Sequence, residues 1–140
     1  MRATHRAAVL GAVIAALALP ALPAAAATAP LPETVLRIKA IDWQPRTGNV
    51  EVTARVKCTG KGSFRWGVAL EQRVRARNSS NVPCDGDGYL STLVLNPRNG
   101  RFHPGAAEMT TEQIVIGKDF GIGSATLERI RISPPGRGAR

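Results

Sequence analysis

Residues 51–70 read EVTARVKCTGKGSFRWGVAL. Together with Val50, the residues Val52, Ala54, Val56 and Cys58 fall on one side of an extended chain, and Glu51, Thr53, Arg55 and Lys57 fall on the other. Successive side chains of a strand point to opposite faces, so an apolar/polar period of two marks a strand with one buried face. Cys58 belongs to the buried row. After TGKGS (59–63) the rhythm returns, with Phe64, Trp66, Val68 and Leu70 opposed to Arg65, Gly67, Ala69 and Glu71. The short glycine-bearing link predicts that the two strands pair as a hairpin.

The same period extends outward. TVLRIKAI (34–41), YLSTLVL (89–95), AAEMTTEQIVI (106–116) and SATLERIRI (124–132) read as strands, and NPRNG (96–100) carries the proline and Asn-Gly of a chain reversal. Residues 106–116 tolerate a helix, but their apolar residues do not share one helical face. Six or seven short strands with frequent turns predict an all-β fold, an immunoglobulin-like two-sheet antiparallel β-sandwich with one disulfide. A small open barrel is the competing architecture.

The first residues read differently. Arg2 and Arg6 precede an apolar run from Ala7 to Leu19, which breaks at Pro20 and Pro23 before AAAATAP (24–30). This order predicts a secretory signal peptide over residues 1–27 and export to the extracellular space or the cell envelope. Residues 28–33 then form a flexible lead-in, 34–132 the β-sandwich domain and 133–140 a disordered basic tail, with no transmembrane segment once the signal is removed. Loss of residues 1–27 leaves 17 Lys and Arg against 10 Asp and Glu, a net charge of +7.

Only Cys58 and Cys84 are present, both beyond the signal. An even count in a small exported chain predicts a disulfide between them rather than a metal site or a catalytic thiol. Catalysis lacks parts. His103 is the one histidine left after the signal, and no paired carboxylates mark a cleft, so the chain is expected not to be an enzyme.

Asp85 and Asp87 in CDGDGYL suggest a calcium loop, but Leu90 and Asn96 stand where that loop needs glycine and a bidentate glutamate. The segment is expected to be a tight turn, with no metal and no cofactor. Trp66, in a buried row, reads as core; Trp43 reads as a cap over the end of the sandwich, with an exposed ring for carbohydrate stacking as the alternative.

Arg73, Arg75 and Arg77 lie on one side of RVRAR, and Arg55 and Lys57 face outward on the strand before. These five cations are the candidate surface for an anionic cell-wall polymer. The plainer account is a solvated face whose charges guard an edge strand. A secreted protein is the other expected partner; sequence-specific nucleic-acid binding is not expected.

Several elements occur in a recognisable order: Cys58 closing a strand, Gln72 ending the next, VPCDG (82–86), the strand from Tyr89, and FHPGAA (102–107). In this the chain resembles a family of small exported actinobacterial domains of uncharacterised function, over residues 50–116. His103 departs from the basic or other polar residue usual at its position, and the final strand region is shorter. The resemblance implies export, a β-sandwich and a disulfide between the two cysteines. It implies no activity, so no catalytic residue is carried over. The expected function is a non-enzymatic exported domain that associates with the envelope or with a secreted partner. The alternative is a small-molecule carrier or neutralising binding protein.

Overall fold

The computed structural model describes residues 31–119 and 121–135. The expected signal peptide (1–27) and most of the expected basic tail (133–140) lie outside the described residues. Seven strands and no helix make up the described chain: β1 (Glu33–Trp43), β2 (Val50–Thr59), β3 (Ser63–Glu71), β4 (Arg75–Pro83), β5 (Gly88–Leu95), β6 (Gly105–Ile116) and β7 (Gly121–Ile132). They form two antiparallel sheets, one in the order β1-β2-β5 and the other in the order β4-β3-β6-β7. The fold is therefore a two-sheet antiparallel β-sandwich. Relative to the constant-type immunoglobulin arrangement, in which the fourth strand joins the sheet of the first, second and fifth, β4 here lies beside β3.

Alternation builds the core. Val50, Val52, Ala54, Val56 and Cys58 of β2 are all fully buried, and Phe64, Trp66, Val68 and Leu70 of β3 face them from the other sheet. Trp66 reaches across the interior, and its Nε1 donates to Ser91 Oγ of β5 at 3.0 Å. A buried indole N–H without a partner costs free energy, so this bond fixes how Trp66 can sit.

The hairpin expected from β2 and β3 does not form. β2 pairs with β1 and β5, whereas β3 pairs with β4 and β6. Residues 60–62 form an arch that carries the chain from one sheet to the other. Two strands with one buried face each can pair edge to edge or face each other across a core, and alternation alone is the same in both. Gly62 helps to decide the outcome: its φ is +136°, and a Cβ there would lie 2.3 Å from the Ile116 carbonyl oxygen. Only glycine permits that conformation so close to β6. The lead-in also packs more than expected, since Pro32 is buried beside the same arch.

A β-bulge at Lys39 corrects the parity of β1. Before it, even-numbered Leu36 and Ile38 lie opposite Val56 and Ala54; after it, odd-numbered Ile41 and Trp43 lie opposite Val52 and Val50. The extra residue keeps apolar side chains inward on both halves of a strand whose sequence changes phase.

The two sides of the sandwich differ. Where β4 passes β5, the Asn78 amide donates to the Val94 carbonyl at 3.0 Å and covers that edge. On the far side, the edge of β7 has no such cover among the described residues from Gly121 to Arg129, where every residue is exposed.

Candidate functional site

Cys58 and Cys84 are bonded to each other, 26 positions apart. The bond joins the end of β2 to the link between β4 and β5, so it ties the two sheets together where the chain passes between them. Gly86 N donates to the Cys58 carbonyl at 2.9 Å beside it. The expected tight turn follows: Asp87 N donates to Asp85 Oδ1 at 2.9 Å, and Gly86 takes a φ of +84°.

The phenol of Tyr89 donates to Asp85 Oδ2. This hydrogen bond, with a further one from the Asp87 backbone, holds the Asp85 carboxyl below its ordinary range. The same bond, with smaller contributions from desolvation and the nearby aspartates, pushes Tyr89 up to about 12. Among the described residues no three His, Cys, Asp or Glu side chains gather as a metal site would require.

At the other end, two segments distant in sequence are held together by structural bonds. Trp43 Nε1 donates to the Phe102 carbonyl at 2.8 Å, Phe102 N donates to the Gly48 carbonyl at 2.9 Å, and the Phe102 ring is fully buried. Trp43 is thus the cap the sequence suggests. Gln72 Nε2 donates to the His103 and Ala106 carbonyls at 2.8 and 3.2 Å, and its Oε1 accepts from His103 N at 3.1 Å. Cys58, Gln72, Cys84 and Phe102 carry the ordered sequence pattern, and each proves to be a fastening. The pattern marks how this chain is held in shape.

The five candidate cations do not share a surface. Arg55 and Lys57 lie on the outer face of the β1-β2-β5 sheet, with Arg55 opposite Arg37 on one side and Leu90 on the other. Arg75 and Arg77 lie on β4, an edge of the opposite sheet, and Arg73 lies in the bend before it. The arch is the reason: by placing β2 and β3 in different sheets, it sends their outward rows to opposite sides of the molecule.

What the structure brings together instead is Arg73, Arg75 and Arg77 with Arg98, Asn96 and Asn99, around an open cleft of about 520 Å³. No acidic residue lines it. Gly100 makes the approach possible, because a Cβ there would stand 2.7 Å from Val74 Cγ1 and its φ is +138°. Arg75 Nη2 contacts Glu71 Oε2 at 2.9 Å, and Arg77 Nη2 contacts Glu112 Oε2 at 3.6 Å, both on the exposed face. Arg73 and Arg98 have no carboxylate within salt-bridge distance among the described residues. They are the cleft's uncompensated charges. Arg98 was hidden inside NPRNG, where proline and glycine point to a turn, and nothing local ties it to an arginine row more than twenty residues earlier.

No protein-family model matches the chain, and no curated protein matches it.

Proposed function

We propose that this chain is an exported, non-enzymatic binding domain whose arginine cleft engages an anionic polymer of the cell envelope. The observation that carries this reading is the cleft itself: four arginines from β4, its preceding bend and the 96–100 segment converge on one concavity with no acidic lining residue. Guanidinium groups form paired hydrogen bonds with phosphate and carboxylate oxygens, and the adjoining asparagines add neutral donors. Repeated anions along a polymer would exchange bound counterions for arginines, so binding is expected to be salt-sensitive and indifferent to fine sequence.

The interior favours this reading over a carrier of apolar small molecules. Trp66, Phe64, Phe102, Leu70, Leu95 and Met109 fill the space between the sheets. The disulfide accords with an oxidising compartment. The resemblance that the ordered sequence pattern suggests points the same way.

Binding of the mature domain to long-chain polyphosphate and to purified anionic wall polymer, at two salt concentrations, tests the proposal. Changing Arg73→Gln with Arg98→Gln should weaken binding about tenfold and flatten the logarithmic salt dependence by about two. Changing Arg55→Gln with Lys57→Gln removes the same charge from the opposite face and should do much less. Equal losses would mean that only net charge matters. No binding at low salt would remove the proposal.

A further inference from the structure

We infer that a second copy of this chain pairs with the exposed edge of β7, extending the four-stranded sheet across a two-fold axis. Three of the four sheet edges carry a device that discourages strand addition. β1 has the bulge at Lys39 and the charges of Arg37 and Lys39; β4 has Arg75, Arg77 and Pro83; β5 is covered by β4 and its Val94 carbonyl accepts from Asn78. Charges, prolines, bulges and cover are the ordinary means of blunting an edge. β7 has none of them between Gly121 and Leu127, a run without charge, proline or register shift. Its large apolar side chains are open to solvent, with Ile122 51 % and Leu127 65 % exposed.

The occupant can be read from the strand's own sequence. The stretch exposed on both faces, Gly121–Arg129, is centred on Ala125. A two-fold axis perpendicular to the sheet at Ala125 sets this stretch antiparallel to its copy and keeps each residue's face. Leu127 then lies opposite Gly123 of the copy, Arg129 opposite Gly121, Ser124 opposite Thr126, and Ile122 opposite Glu128. Leu127 and Arg129 each meet a glycine, the hydroxyl residues meet in two hydrogen-bonding pairs, and no like charges are opposed. Glycines within a strand often mark where another backbone comes close. A two-fold shift to Glu128 would oppose the two glutamates, which disfavours that register.

The size of the contact sets its strength. Nine residue pairs span about 30 Å of a sheet roughly 10 Å thick, burying on the order of 600 Å² in total. Stable interfaces begin at roughly twice that. The dimer is therefore reversible and populated as concentration rises, in keeping with an isologous contact between identical patches. This inference does not depend on the arginine cleft, which lies on the opposite edge of the same sheet.

Sedimentation of the mature, oxidised domain from low micromolar to millimolar concentration tests it. The expected result is a monomer–dimer equilibrium. The double change Ser124→Lys with Thr126→Lys sets lysines opposite lysines across the axis and should abolish the dimer. The double change Ser124→Lys with Thr126→Glu sets opposite charges there and should restore it. Ser124 and Thr126 are both exposed in the monomer, and unchanged tryptophan fluorescence would confirm that each variant folds. A monomer at millimolar concentration overturns the inference. So does an equal effect of the two double changes, since the stated register sets like charges opposite each other in the first and unlike charges in the second.

Discussion

Replacing both cysteines, as Cys58→Ala with Cys84→Ala, removes the disulfide that ties the end of β2 to the β4–β5 link. Both positions are changed together because Cys58 is fully buried, and a lone thiol or hydroxyl there would add an effect of its own. The bond closes a loop of 26 residue positions that contains all of β3 and β4. In the chain-entropy account, cross-linking a loop of that size lowers the free energy of folding by about 3.5 kcal/mol at 25 °C. The whole stability of such a domain is of the order of 5–15 kcal/mol. For a domain of about 100 residues, each kcal/mol shifts Tm by roughly 4–8 °C, so the variant should melt about 14–28 °C lower.

Thermal and urea unfolding followed by tryptophan fluorescence would measure this, because the Trp66 indole leaves a fully buried site on unfolding. The urea m-value should rise as well, since an unlinked chain exposes more surface when unfolded. A fall in Tm of less than about 5 °C with an unchanged m-value would refute the reasoning. It would show that the unfolded chain is already restricted by something other than the bond.

Tyr89 is the only tyrosine, so its ionisation can be followed without interference from another phenol. The ultraviolet titration should have its midpoint near 12, and Asp85→Asn should move it toward the ordinary value of 10. A raised folded value favours the neutral phenol. The stabilisation it contributes is full below pH 10 and is lost as pH rises through about 12. Asp85 has the opposite sign: its lowered folded value contributes stability above its ordinary value of 3.8, which is lost as pH falls through that lowered value. Gln72→Ala removes the bonds to His103 and Ala106, and should speed hydrogen exchange at the His103 amide at least tenfold while Tm falls by a few degrees. Unchanged exchange would mean that Phe102 and Trp43 alone hold the segment.

The fastenings illustrate what could be read in advance. Parity placed Cys58, Phe64 and Trp66 inside because a strand's period is a local property of its backbone. Cysteine count and context paired Cys58 with Cys84. Trp43 as a cap and Asp85 in a turn were also legible from their immediate neighbours. Gln72 stood in the ordered pattern, but its role as a clamp on His103 and Ala106 depends on residues about thirty positions away.

Sheet membership was decided elsewhere. Alternation along β2 and β3 already specifies which of their side chains are buried, since it records burial. It did not determine whether those rows face each other across the core or lie side by side, because both arrangements bury the same residues. Packing of Gly62 against the Ile116 carbonyl, with Pro32 beneath the arch, selects the crossing between sheets. That one choice separates Arg55 and Lys57 from Arg75 and Arg77. The approach of Gly100 to Val74 then carries Arg98 to the arginine row. Strand identity follows from interactions between near neighbours, whereas a surface follows from which strands meet, and only the packed core specifies that.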